Sequence, residues 1–310
     1  MEFFKLLFGF VVLIIGGNLL VQGSVSLARK FRISKIVIGL TVVSFATSAP
    51  ELIVSIYAAI SGHSDIVIGN VIGSNIANVS LVLGTTSCIF PLYLNKRIYY
   101  FDLPIMLLAN ILFGFFLYSQ STISFYEGII LVSLLVLLTT YLISKSRSKL
   151  STNNVSNQKI ISLFLVIFYI ITGSVCLYFG SQLLIDGAVA ISSYFGFTER
   201  VISVSVIAFG TSVPELSASI VAALKSEKSL SIGNLIGSNI FNIFAVLGVT
   251  SIIQPIICND LNLLNFDFFW MLGLSFFLFP LMMFGYENKI GRFKGSILLI
   301  SYFLFLVFVF

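Results

Sequence analysis

One segment of this chain occurs twice. Thr47-Ser48-Ala49-Pro50-Glu51-Leu52 returns as Thr211-Ser212-Val213-Pro214-Glu215-Leu216. Gly69-Asn70-Val71-Ile72-Gly73-Ser74-Asn75-Ile76 returns as Gly233-Asn234-Leu235-Ile236-Gly237-Ser238-Asn239-Ile240. Both echoes share one offset of 164 residues, which holds without a gap from Gly16/Gly180 to Pro91/Pro255. The chain is a duplicated unit, and each copy carries one carboxylate inside an otherwise apolar segment. An ionisable group at bilayer depth is expensive and marks a functional site by default.

Composition fixes where these segments lie. Charged residues make up 9% and hydrophobic residues 58% of the 310, far from the balance of a soluble domain. The apolar runs predict ten membrane segments, at 4–26, 36–60, 66–89, 101–119, 123–144, 160–184, 200–224, 230–257, 264–284 and 293–310. Each is near the roughly 20 residues that cross the hydrocarbon. The expected fold is an all-α polytopic membrane protein in the lipid bilayer. Residues 6–22 are apolar but match 170–186, so they belong to the fold rather than to a cleavable leader.

The net charge of +5 is no nucleic-acid signal, because Lys and Arg sit in the loops. Fifteen of the 17 basic residues follow the first, third, fifth, seventh and ninth segments. That asymmetry predicts those loops to be cytoplasmic and both termini to lie outside, in a cell (inner) membrane. Five segments per copy is an odd number, so the second copy enters the membrane from the opposite side. The expected layout is a first five-helix repeat at 1–144, a cytoplasmic linker at 145–159 and an inverted second repeat at 160–310.

Pro50 removes a backbone donor and breaks the helix just before it, freeing carbonyls near Ala46 and Thr47. Thr47 and Ser48 add hydroxyls, and Glu51 adds a carboxylate one turn on. The second copy repeats the set with Thr211, Ser212, Pro214 and Glu215. Such hard oxygens suit Ca2+, Mg2+ and Na+. Inverted symmetry brings both sets to one place at the midplane. Gly69/Gly73 and Gly233/Gly237 are spaced for close helix contact, which would carry Ser74, Asn78, Ser238 and Asn242 toward the glutamates. Asn70, Asn75, Asn234 and Asn239 read as structural hydrogen-bonding groups. Two carboxylates neutralise one divalent cation and repel one another without a cation or protons. The site is then filled in every state that crosses, which implies obligatory exchange.

Other polar residues have plainer readings. Asp65, Glu127, Asp260 and Asp267 are expected at solvated outer ends of segments, and Asp102 at a cytoplasmic helix start. Cys88, Cys176 and Cys258 form no CxxC pair and read as small buried hydrophobes. His63 falls in a short loop and is not expected to bind metal.

The two repeats, Ser44–Gly84 and Ala208–Gly248, resemble those of the cation/calcium exchanger superfamily, specifically its sodium/calcium exchanger branch in the prokaryotic form without a large regulatory loop. The resemblance implies exchange of Na+ for Ca2+ by alternating access, with no cofactor, no obligatory protein partner and no enzymatic activity. It implies Ca2+ binding by Glu51 and Glu215, with carbonyls at Thr47 and Thr211. It implies an outer Na+ site of Ala208, Thr211, Ser212 and Ser238 with Glu51. An inner one would use Ser44, Thr47, Ser48 and Ser74 with Glu215, and Asn78 and Asn242 hold the middle positions. Departures from the family pattern are Asn242, where an acid is frequent, and Ala46, which predicts a slightly smaller bend than Gly210 in the other repeat. Ser44 stands where Ala208 stands in the other half, a silent change if only the carbonyl binds. The alternative transporter is a H+/Ca2+ (or other divalent) antiporter with protons on the two glutamates. A passive channel is a further class. No catalytic dyad or nucleophile motif supports an enzyme.

Overall fold

A computed structural model describes residues 2–147, 162–194, 198–283 and 289–310. From residue 148 on, the expected linker lies outside the described residues. The chain forms α1 (Glu2–Phe31), then α2 in two arms (Lys35–Thr47 and Ala49–Ile60), α3 (Ser64–Ile89), α4 (Ile98–Gln120) and α5 (Phe125–Arg147). The second half forms α6 (Leu163–Tyr194), α7 (Ile202–Leu224), α8 (Lys228–Ile253), α9 (Leu263–Met283) and α10 (Arg292–Val309). Among the described residues, nine helices are long and apolar enough to cross a membrane, and the bent pair of arms in α2 makes ten. The tenfold count read from hydropathy is therefore met. The first and sixth helices run longer than expected, and α8 stops at Ile253 rather than continuing to 257.

Burial sorts these helices. Within the membrane-length windows of α3 and α8, 94% and 83% of residues are buried, against 17% for α5 and 22% for α6. The two repeat-bearing helices are thus the centre of the molecule. The apolar outer surfaces of α5 and α6 suit lipid.

The halves interlock rather than sit side by side. Gly84 of α3 packs on Gly295 of α10, where an added Cβ would come within 3.1 Å of the Gly295 carbonyl. Gly128 of α5 packs in the same way on Gly248 of α8, at 2.8 Å. Four two-residue strands repeat the exchange in the loops: β1 (Leu92–Tyr93), β2 (Thr122–Ile123), β3 (Ile256–Ile257) and β4 (Lys289–Ile290). β1 pairs with β4 and β2 with β3, both antiparallel. β1 and β3 are repeat equivalents, so each half lends one strand at each end of the bundle. Inverted symmetry demands this pattern. α1 and α6 cross on the Gly16 and Gly173 backbones.

Six short π-helical stretches occur in equivalent pairs: Gly39–Val43 with Ile202–Ile207, Ala77–Val82 with Asn242–Leu247, and Ile98–Asp102 with Leu263–Asp267. Such stretches gather at functional sites, and four of these six lie in α2, α3, α7 and α8.

Two acids differ from the sequence-based expectation. Asp267 is no solvated end: it is fully buried and accepts from Arg200 Nε and Nη2 at 2.6 and 2.9 Å. Asp102 is also buried, 3.3 Å from Arg97 Nε. Both stand inside π-helical stretches, where the widened turn admits the partner from a distant element. Glu127 does cap its own helix, accepting from the Ser124 amide at 2.7 Å.

Candidate ion-binding site

Pro50 and Pro214 set the local geometry. Each stands in the first turn of a helical arm, where a missing N–H does no harm. Each also leaves a carbonyl one turn upstream, at Ala46 or Gly210, without its helical donor. The chain leaves helical geometry at Ser48 (φ −86°, ψ 7°) and at Ser212 (φ −81°, ψ −2°). The arms of α2 meet at 43°, whereas α7 continues as one span. The expectation of a smaller bend beside Ala46 is thus reversed. Glu51 and Glu215 fall in the first turn of the second arms, where aligned amide dipoles favour negative charge.

Close helix approach brings these breaks to the repeat glycines. A Cβ on Gly73 would sit 2.6 Å from the Ala208 Cβ and the Val204 carbonyl oxygen, so α3 lies against the first part of α7. A Cβ on Gly237 would strike Ser44 Oγ and come within 2.7 Å of Leu40 Cα, so α8 lies against the first arm of α2. The small-residue spacing does what it predicts, and it does so across the two halves.

Both glutamates are fully buried and interact electrostatically with one another. Glu215 Oε1 accepts from Ser48 Oγ at 3.0 Å and Ser238 Oγ at 3.3 Å. Glu215 Oε2 and both carboxylate oxygens of Glu51 have no hydrogen-bond partner among the described residues. Thr47 Oγ1 donates to Asn234 Oδ1 at 3.2 Å and lies 3.5 Å from Ser238 Oγ. Thr211 Oγ1 donates to Asn70 Oδ1 at 3.3 Å and lies 3.3 Å from Ser74 Oγ. The two sides repeat each other bond for bond.

Ser74 and Ser238 exchange places relative to the grouping that the resemblance implies. Ser238 joins Thr47, Ser48 and Glu215, and Ser74 joins Thr211. The Ser44 hydroxyl donates to the carbonyls of Gly39 at 2.7 Å and Asn234 at 3.0 Å. Only its backbone carbonyl matches what Ala208 offers. Ser212, Asn78 and Asn242 are buried. Ser212 Oγ, Asn242 Oδ1 and both side-chain polar atoms of Asn78 have no partner among the described residues. Asn242 Nδ2 donates to Asn75 Oδ1 at 3.1 Å.

Sequence reasoning missed Ser55 and Ser219, which hold Asn70 and Asn234 at 3.1 and 3.3 Å. They stand 164 residues apart, so the repeat offset itself was the available signal.

The chemistry follows from the donor set. Every group in the cluster is an oxygen or an amide, and no group of three or more His, Cys, Asp or Glu gathers among the described residues. Hard cations fit such a set, and soft transition metals do not. A buried carboxylate oxygen without a donor is costly. A cation shared by Glu51 and Glu215 removes that cost at both acids together.

Known proteins agree with this geometry. The family profile described as "Sodium/calcium exchanger protein" matches residues 2–144 and 165–310. The sodium/calcium exchanger MaX1 of Methanosarcina acetivorans is 30% identical over all of this chain and 98% of its own. The inner membrane protein YrbG of Escherichia coli is 32% identical over 81% of this chain and 79% of its own. Solved structures of the sodium-calcium exchanger NCX_Mj, including one soaked with Na+ and Sr2+, superpose with a TM-score of 0.81 at 30% identity, covering 98% of this chain and 96% of that one. The chain belongs to the sodium/calcium exchanger family, as a multi-pass membrane antiporter that exchanges Ca2+ for another cation.

Proposed function

We propose that the counter-ion is Na+, and that Na+ and Ca2+ compete for one site between Glu51 and Glu215. The carrying observation is the row of unpartnered buried oxygens, Glu51 Oε1 and Oε2 with Glu215 Oε2, beside the hydroxyls of Ser48, Ser212 and Ser238. The carboxylates match the charge of Ca2+. The hydroxyls and broken-helix carbonyls of Thr47, Thr211, Ser44, Ser74 and Ala208, with the amides of Asn78 and Asn242, supply neutral oxygens for Na+. Without a cation or protons the pair repels itself in low dielectric, so an empty carrier resists crossing. That coupling makes transport an exchange.

In this reading the halves are 1–144 and 160–310, joined by a cytoplasmic linker at 145–159. The basic loops face the cytoplasm and both termini face outward, in the inner membrane. Proteoliposomes loaded with Na+ should take up radiolabelled Ca2+ when an outward Na+ gradient is imposed. Uptake driven as well by a pH gradient without Na+ would reassign the counter-ion to H+. Ca2+ flux without any counter-ion would indicate a channel.

A further inference from the structure

A second polar cavity lies far from the glutamates, at the basic face of the bundle. Its volume is about 220 Å³ less than half the larger of the two measured concavities only in the sense that the smaller one is ≈ 220 Å³ and this one ≈ 550 Å³. Three basic loops meet there: the turn before α2, the segment before α4 and the end of α5. Lys96, Arg97 and Lys145 line it, together with Asn95, Tyr100 and Tyr141. No acid lines the cavity.

The cations are held in place. Arg97 stands 5.8 Å from the centre of the Phe101 ring, and Lys145 stands at 5.8 Å from the same ring and 5.0 Å from that of Tyr141. Rings of this kind orient a cation without neutralising it. Arg97 spends only its Nε on Asp102, which leaves the Nη groups for a second oxyanion. Three positive charges against the one Asp102 carboxylate leave the cavity cationic. Tyr100 is 81% exposed at its rim, as suits an aromatic side chain at the headgroup level.

We propose that this cavity binds the phosphate headgroup of an anionic membrane phospholipid. The shared chemistry is a phosphate oxyanion, and the position at the lipid boundary favours a lipid as its source. The chain's own linker is a poor occupant: residues 148–161 contain Lys149 and Lys159 and no acid, so their charge repels that of the cavity.

The test uses the full-length protein in neutral detergent, titrated with short-chain phosphatidylglycerol, short-chain phosphatidylcholine or inorganic phosphate. Bound lipid is counted by native mass spectrometry. Phosphatidylglycerol should bind about tenfold tighter than phosphatidylcholine. K96A/K145A should lose that preference, while K30A/R32A, which removes two charges outside the cavity, should keep it. Asn95→Asp offers a second variant: Asn95 Oδ1 accepts from the Ile98 amide at 3.1 Å, a bond Asp preserves while adding a repelling charge, so the preference should fall there too. Equal binding of both lipids, or equal loss in K30A/R32A, would overturn the site. Displacement of phosphatidylglycerol by millimolar inorganic phosphate would overturn the lipid source.

Discussion

Ser48, from the first half of the chain, donates its hydroxyl to Glu215, from the second, across 3.0 Å. The repeat-related contact is not made: Ser212 Oγ and both Glu51 oxygens are without partners among the described residues. One carboxylate is therefore partly satisfied by protein and the other is not, although both come from the same motif. This difference separates what each residue does for folding from what it does for ions.

Glu51→Gln and Glu215→Gln should each lower Ca2+ exchange at least about tenfold, the scale of loss when a metal site is damaged. Exchange in proteoliposomes measures it. Normal exchange by either variant would remove that residue from the site.

Ser48→Ala and Ser212→Ala should part company in stability. Losing the Ser48 bond costs about 1 kcal/mol, whereas Ser212 makes no bond to lose. Thermal unfolding in detergent should show a drop for the first and little change for the second. Both should raise the Na+ concentration needed for half-maximal exchange.

Gly237→Ala should destabilise by about 1–3 kcal/mol, because its Cβ meets backbone at Leu40 rather than a movable side-chain end. Gly273→Ala is the control: nothing lies within 4 Å of its Cβ, and Ala favours a helix by up to about 1 kcal/mol. Unfolding temperatures that rank the two the other way would contradict the packing described.

Asn242→Asp keeps the shape and changes the charge. A carboxylate there loses the donor that Asn242 Nδ2 gives to Asn75 Oδ1, and only the protonated acid restores it. Exchange by this variant should gain a pH dependence absent from the parent, with little loss of folded protein. An unaltered pH profile and ion preference would place Asn242 outside the site.

Asp267→Asn should cost about 3–5 kcal/mol, since it strands the Arg200 guanidinium in a pair whose members are only 12% and 0% exposed. Asp102→Asn should cost less, because the Arg97 side chain is 31% exposed and can turn to water. Chemical or thermal unfolding ranks them.

The sequence was most readable where physics is local or repeated. Pro50 and Pro214 state their own helix breaks, and Gly73 and Gly237 state close approach without naming the neighbour. The offset of 164 residues gave the inverted plan. What stayed hidden depends on pairing over distance. Asp267 looked like a solvated end because its partner Arg200 is 67 residues away. Ser74 and Ser238 are too close to the symmetry axis for spacing to say which half's threonine each one meets. The bend beside Ala46 exceeds its counterpart although glycine stands in the other repeat, so tertiary packing outweighs the local residue there.

The interlocked glycine contacts bear on how the chain is made. α3 finds its neighbour only in α10, and α8 finds its own in α5. During synthesis the first repeat emerges with its central helix uncovered, and the last helix to be inserted supplies the cover. Biogenesis is thus completed from the carboxyl end, and a protein truncated before Arg292 would leave its third helix bare.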